Sequence, residues 1–235
     1  MKYKYFFFFL LLVIQTAFYS CKSTIKGEGL KQTEKREVNG FNEIELSIPA
    51  RVTVVLADSF NCIITAQPNI ISAVETKVKG ESLLIKSDYS FQDADIEIVI
   101  SLPMTKELVI NGSGSIKTLN IIKNESLKLY LNGSGEMFIN AETIKMRTEI
   151  NGSGTCFLKG ASNYHRCEIN GSGELHGFDF LTQKADIEVN GSGDVEVTAT
   201  EDLDVTVHGS GNVIYKSNPH IKSDIVGGGA IIKKE

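Results

Sequence analysis

The 235-residue chain has no tryptophan, only four prolines and four cysteines, and no long run of charges of one sign. Its formal net charge is −5 with both signs mixed along the chain, so it offers no basic face to neutralise phosphates, and nucleic acid is not expected as a partner. The cysteines form no CxxC pair and have no histidine at zinc-ligand spacing, and the sequence predicts neither a metal nor a cofactor. What the chain has in abundance is glycine, with 21 residues, most of them in one repeated motif.

The N-terminus has the features of a secretory signal peptide. Lys2 and Lys4 precede an apolar run from Tyr5 to Ile14, and small and polar residues follow up to Cys21. A membrane-spanning anchor is the alternative, but the run is short for a span, which needs about 20 apolar residues.

The end of this segment, FYSC, resembles a bacterial lipobox, with Ser20 before Cys21 and with Phe18 and Tyr19 departing from the usual pattern. We therefore expect a signal peptide at 1–20, lipidation of Cys21 and a polar tether at 21–40. One lipid holds a protein at a membrane leaflet while its domain stays in water. The expected location is the bacterial cell envelope, as an outer-membrane lipoprotein that faces either the periplasm or the outside.

The motif NGSG recurs at nearly constant spacing in the second half of the chain. A near-copy, HGSG, opens at His208 and a degraded GGGA at Gly227, and the intervals between successive motifs are 18 to 21 residues. The five full copies open at Asn111, Asn132, Asn151, Asn170 and Asn190. A fixed period near 20 residues is typical of a solenoid.

Apolar and polar residues alternate on both sides of each motif, which indicates a strand, a corner and a second strand. Stacking successive coils buries the apolar positions in one core, so we predict an all-β fold, a parallel, right-handed β-helix with coils of 19–20 residues and NGSG corners. An antiparallel sandwich or a propeller is the alternative. Residues 106–235 form the regular repeats, and residues 41–105 alternate without the motif, as irregular coils or a cap of the same domain.

The corners explain the motif in physical terms. Asn and Gly tolerate positive φ at the least cost, so both suit a tight corner. Stacking also places the five Asn side chains in one column, where their amides can hydrogen-bond from coil to coil as a structural ladder.

The strands FNEIELSIPARVTVVLADS and VETKVKGESLLIKS, followed by ISLPMTKELVINGSGSI and the repeated NGSG, resemble the head GIN domain of putative auto-transporter adhesins (DUF2807). The likeness covers about residues 41–232. It implies an exported β-helical domain, often on a predicted Bacteroidetes-type lipoprotein, and brings no catalytic residues with it.

The sixth position after each Asn faces outward and contains the candidate interaction surface, Phe138, Phe157 and Ile214. Exposed aromatic residues in register are typical of contact with a partner, either a second subunit or a glycan or protein ligand. Burial under another part of the chain is the alternative.

Other candidate sites receive less support from the sequence. Three outward glutamates stack at Glu149, Glu168 and Glu188, but Arg147 and Arg166 beside them favour a charge-compensated face. Calcium binding at the turns needs an acid in every coil, but the position after NGSG is acidic in only some of them. Polysaccharide cleavage needs clustered acids in a groove, whereas the acids here are regularly spaced.

Cys156 and Cys167 fall on inward columns, which favours buried free thiols over a disulfide. With no catalytic residues predicted, we expect a non-enzymatic envelope protein that acts as an adhesin or binding protein. The alternative is a structural or sensing protein that assembles with itself as a homo-oligomer.

Overall fold

The computed structural model describes residues 23–235, and the predicted signal peptide and the lipidation site Cys21 lie outside them. Strands account for 70% of the fold and helix for 3%, and the chain winds into a β-solenoid of about seven turns whose parallel bridges are about 19 residues apart. The predicted fold class is confirmed. Among the described residues, no helix has both the length and the apolar character that a membrane crossing requires.

The N-terminal part contains short strands and one helical turn. They are β1 (Thr24–Lys26), β2 (Gln32–Arg36), β3 (Glu43–Leu46), β4 (Arg51–Leu56), β5 (Asn61–Ala66), α1 (Pro68–Ala73), β6 (Glu75–Lys79), β7 (Ser82–Lys86), β8 (Ser90–Gln92) and β9 (Glu97–Leu102).

The regular coils follow, and their longer strands run through a second corner between two NGSG motifs. They are β10 (Glu107–Gly112), β11 (Ser115–Thr118), β12 (Ile122–Gly133), β13 (Glu136–Gly152), β14 (Thr155–Gly171), β15 (Glu174–Gly191), β16 (Asp194–Gly209), β17 (Asn212–Lys216), β18 (His220–Gly227) and β19 (Ala230–Lys233). Every pairing among them is parallel and brings equivalent positions together, Asn132 beside Asn151 for example. The sandwich and the propeller are thereby excluded.

The N-terminal strands extend the stack, but not in chain order. Strands β3 and β4 lie parallel on β10 and β11, and β7 and β9 lie parallel on β3 and β4. Beyond them the pairing becomes antiparallel, with β6 on β7, β5 on β9 and β2 on β5. Two parallel layers therefore continue the solenoid, and antiparallel strands with α1 end it.

Two segments of the predicted tether at 21–40 form strands. Thr24–Lys26 pairs with β8, and Gln32–Arg36 lies antiparallel to β5. Both strands use backbone hydrogen bonds while their side chains remain mostly exposed, so a polar composition is compatible with the pairing.

The core is one continuous cluster of inward side chains from Phe41 to Val213. The position before the corner motif is buried in six coils, before each of the five Asn residues and before His208, as Ile110, Leu131, Ile150, Ile169, Val189 and Val207. Each such side chain contributes roughly 1.5–3 kcal/mol by leaving water. Because inward and outward positions alternate strictly, the same register that builds this core aligns the outward side chains in columns.

The two glycines of each corner have different roles. The first has a positive φ, 128° at Gly152, and the second lies where a Cβ would overlap the previous coil, 2.8 Å from the carbonyl oxygen of Gly135 at Gly154. The corner Asn residues are not at positive φ, since Asp93 and Ser217 are the only non-glycine residues with positive φ in the described chain. The predicted reason therefore holds for the first glycine and is wrong for Asn.

Candidate functional site: the outward columns

The asparagine column runs along one edge of the solenoid. From Asn132 onward, each side-chain amide donates a hydrogen bond to the side-chain oxygen of the Asn one coil earlier. The donor–acceptor distances are 3.0 Å for Asn132 to Asn111, 2.9 Å for Asn151 to Asn132 and for Asn170 to Asn151, and 3.0 Å for Asn190 to Asn170. Asn111 donates to the carboxylate of Glu45 over 2.8 Å, which joins the column to β3. Side chains held in this way lose their freedom before any ligand arrives, so the neighbouring surface is preorganised.

A column of three carboxylates, Glu149, Glu168 and Glu188, lies next to the asparagines. Each carboxylate accepts a hydrogen bond from the side-chain amide of the Asn two residues later on its own strand, with donor–acceptor distances of 3.0–3.1 Å. Arg147 lies 3.0 Å from Glu149, and Arg166 lies 3.5 Å from Glu188.

The pKa of Glu149 lies below its ordinary value. The hydrogen bond from Asn151 is the larger cause, and the contact with Arg147 is the smaller one. The carboxylate therefore stays charged near neutral pH, but its charge is already compensated. Within residues 23–235, no group of His, Cys, Asp or Glu side chains is arranged to hold a metal ion.

The aromatic column consists of Phe138, Phe157 and His176. The rings of Phe138 and Phe157 stack with centroids 4.8 Å apart and planes 2° from parallel, and His176 stacks on Phe157 at 4.7 Å and 15°. Because the rings stack along the solenoid axis, they turn their faces to one another and their edges to solvent. Phe138, at the end of the column, is 42% exposed.

Two carboxylates fix the histidine at the other end of the aromatic column. Nδ1 of His176 lies 3.2 Å from Glu196, and Nε2 lies 3.1 Å from Glu174. Ile214 belongs to the same column but pairs with Glu196, three coils beyond Phe157. The structure thus brings Phe138 and Phe157 together and leaves Ile214 separate from them. His176 was not predicted as the third ring, although it occupies the equivalent position on β15.

Phe178 adds a second aromatic group beside this column. Between its pairs with Val197 and Thr198 of β16, β15 contains three additional residues, and the register shifts there from Gly177 to Leu181. The Nζ atoms of Lys216 and Lys234 lie 4.4 and 4.6 Å from the Phe178 ring centroid, at cation–π distance. Phe157 and Phe178 both line a depression of about 290 Å³, together with Lys159, Asp179 and Glu196. The only trace of this in the sequence is the 20-residue interval between Asn170 and Asn190.

A groove of about 530 Å³ crosses several coils at the second corner, which has no sequence motif. We call it the corner groove. Its apolar side chains include Ile144 and Leu181, both exposed, and its polar ones are mostly amides and hydroxyls, among them Asn124, Asn163, Gln183, Ser162, Thr182 and Thr200. Glu142 also lines the groove, but it is paired with Lys123 at 2.9 Å, and the other polar groups suit an uncharged polar ligand.

The interior contains few titratable groups, and burial holds them neutral. Cys62, Cys156 and Cys167 are free and buried, and burial raises the pKa of Cys62 to about 11 and that of Cys156 to about 12. His165 is fully buried, and this burial lowers its pKa to about 4. Its Nε2 lies 3.1 Å from the hydroxyl oxygen of Thr148. A thiol that stays protonated is a poor nucleophile, so these cysteines are structural.

The chain matches one protein family over residues 40–219, described as "Putative auto-transporter adhesin, head GIN domain" (DUF2807). A search of the curated proteins finds no match.

Several solved structures share the fold. A putative adhesin from Bacteroides fragilis superposes with a TM-score of 0.85 at 22% identity, covering 89% of this chain and 100% of its own. A putative adhesin from Parabacteroides merdae gives 0.74 at 22% identity, and a putative lipid binding protein from Parabacteroides distasonis gives 0.73 at 24%. Both cover 91% of this chain and 100% of their own. At these identities the likeness shows the fold alone.

Proposed function

Because the chain belongs to the family of putative auto-transporter adhesins with a head GIN domain (DUF2807), we propose that it is a non-enzymatic adhesin or binding protein of the bacterial cell envelope. In this proposal a lipid on Cys21 holds the chain at the outer membrane, and the solenoid presents an outward face to a glycan or protein ligand. Several ionic groups beside the outward columns are paired with one another, as Arg147 is with Glu149 and Arg166 with Glu188.

The observation that carries the proposal is the aromatic column. Phe138 keeps an apolar edge in solvent on a flat sheet, although a polar residue would fit the solenoid equally well at an outward position. The stacking of Phe157 and His176 behind it removes side-chain freedom, so a partner that docks there orders little further. Rings that expose their edges suit a partner that inserts between side chains better than a sugar ring that needs an aromatic face.

Protease treatment of intact cells tests the location. Proteinase K added to intact cells removes a domain that faces outward and leaves a periplasmic one until the cells are lysed. Loss of the solenoid from intact cells supports the adhesin, whereas protection until lysis contradicts it and favours the structural or sensing alternative.

Binding to a panel of immobilised glycans and extracellular proteins tests the surface. Phe138→Ser removes the exposed edge, and Ile144→Ser is the matched control, since it removes an exposed apolar side chain from the corner groove instead. Loss of binding with Phe138→Ser alone supports the aromatic column as the binding surface. Loss with Ile144→Ser alone transfers the ligand to the corner groove, and an unchanged signal in both contradicts the assignment.

A further inference from the structure

The last coil leaves the interior of the solenoid uncovered. Strand β18 continues the inward columns, with Ile221 in register with the buried Leu203 and Ile225 in register with the buried Val207. The two isoleucines are nevertheless 41% and 40% exposed, because no further coil of the described chain covers them. Two apolar side chains that belong to a core column therefore face solvent at this end.

Strand β18 is also an unprotected edge. It pairs with β16 on one side, and no strand of residues 23–235 lies along its other side. The opposite end of the stack is closed differently, by the antiparallel strand β2 with exposed charged side chains. Charged residues on an edge strand discourage further pairing, so the stack is closed at one end and open at the other.

The sequence of β18 is complementary to itself when a second copy pairs with it in the antiparallel direction. With Ser223 opposite Ser223 of the second copy, Lys222 faces Asp224 and Ile221 faces Ile225, each pair occurring twice about the two-fold axis. This register keeps inward side chains opposite inward ones, and a slip by one residue would not. Shifting the second copy by two residues in either direction keeps the inward side chains together, but it places Lys222 opposite Lys222 or Asp224 opposite Asp224. Of these three registers, the one centred on Ser223 is therefore the only one that charge favours.

We propose that two copies of this chain join end to end through antiparallel pairing of β18 about a two-fold axis at Ser223. The contact is isologous, so it closes after two copies and does not propagate into a filament. It satisfies the edge of β18 and covers Ile221 and Ile225 with their counterparts.

The geometry gives this dimer a direction. The N-terminal β1 pairs with β8, and the backbone at Glu28 donates to Asn69 of α1, so the start of the described chain lies at the closed end. The dimer places the two N-termini at its far ends. On the proposed function, with Cys21 lipidated, the copies are anchored in two opposing membranes, and the ligand of the adhesin includes a second copy of itself.

Charge exchange on β18 tests the pairing without touching the core. Light scattering of the full chain purified in detergent should show a dimer in the parent, and Lys222→Asp or Asp224→Lys alone should raise its dissociation constant about tenfold or more, because like charges then face each other twice. The double exchange Lys222→Asp/Asp224→Lys should restore the parent value. A monomeric parent, or singles that dimerise as well as the parent, would overturn the proposal.

A cysteine at the axis gives an independent readout. Ser223→Cys should form a disulfide-linked dimer with a mild oxidant, and Ser210→Cys, exposed at a corner one coil earlier, should not. Equal cross-linking of the two variants would overturn the pairing.

Lipid vesicles carrying the full chain separate this proposal from the proposed function. Clustering that is lost with Lys222→Asp and regained with the double exchange supports dimers between membranes. If the chain forms a dimer in detergent but the vesicles do not cluster, only the arrangement between opposing membranes is overturned. If the protease test on intact cells contradicts the cell-surface location, the proposal of a dimer through β18 is not affected.

Discussion

The regular coils and the N-terminal layers solve the same stacking problem with different corners. In the coils, each NGSG corner lies on an identical corner, and the backbones approach so closely that a Cβ on Gly152 would lie 2.5 Å from the carbonyl oxygen of Gly133. In the layer below the first coil, the segment Ser47–Ala50 makes the turn with Pro49 and a hydrogen bond from the Ala50 amide to Ile48. Parallel stacking therefore does not itself require glycine, whereas corner-on-corner stacking does.

The two parts also fill their interiors differently. The largest fully buried side chains of the N-terminal layers are aliphatic, such as Ile64, Leu83 and Ile100. The middle coils also bury large apolar side chains, Phe180 among them, but they add polar and small ones, such as Thr148, Cys156, His165, Cys167 and Thr182. In the coils, the stacked corners and the asparagine column therefore add hydrogen bonds and close backbone contacts to a core that runs through both parts.

Alanine at a corner glycine should have the largest effect. Gly152→Ala forces a side chain into positive φ and against the backbone of Gly133, so we expect the free energy of unfolding to fall by about 4 kcal/mol. Gly112 is the matched control, because it has the same φ of 128° but no atom within 4 Å of its Cβ position, over the differently turned N-terminal layer. Gly112→Ala should cost about 2 kcal/mol. Denaturant titration of both variants gives the difference, and equal losses would contradict the role of corner-on-corner contact.

Removing one asparagine from the middle of the asparagine column should have the next largest effect. Asn151 donates to Asn132 and Glu149 and accepts from Asn170, so Asn151→Ala should lower the free energy of unfolding by about 2–3 kcal/mol. Asn190 ends the column, where His208 replaces the next Asn, and Asn190→Ala loses one bond fewer. A smaller loss at Asn151 than at Asn190 in thermal or denaturant unfolding would count against a cooperative column.

The sequence predicted the regular coils better than the N-terminal layers, for a physical reason. NGSG fixes the corner, and the corner fixes the register, so the contact of Phe138 with Phe157 follows from counting residues. The N-terminal strands alternate in the same way but choose partners far along the chain, and nothing local indicates that β7 and β9 lie against β3 and β4. The corner groove and the register shift that contains Phe178 were not predicted from the sequence, because the second corner has no motif of its own.

The polar interior of the coils should make their stability depend on pH. His165 is buried and its pKa is lowered to about 4, so the folded chain keeps it neutral while the unfolded chain protonates it below about 6.5. Its contribution is complete above pH 6.5 and is lost as the pH falls towards 4, which amounts to roughly 2 kcal/mol between pH 7 and pH 5. The variant His165→Leu/Thr148→Val removes the histidine and its hydrogen-bond partner together. Its unfolding free energy should change less over this range than that of the parent, and parallel pH profiles would contradict the assignment.

The smallest effects should come from surface ion pairs, where the two parts differ once more. In the N-terminal layers Asp95 pairs with both Lys31 and Arg51, and the hydrogen bond from Lys31 lowers the pKa of Asp95. These contacts tie the segment before β2 to the strand β4, whereas Asp202 in the coils pairs with the single Lys184 of the neighbouring strand. Asp95→Asn should therefore lower the unfolding midpoint slightly at low salt, and Asp202→Asn should leave it within error. Because both side chains are solvent-accessible, 1 M salt should remove the difference between the variants, and a difference that persists in salt would mean that Asp95 acts through packing rather than charge.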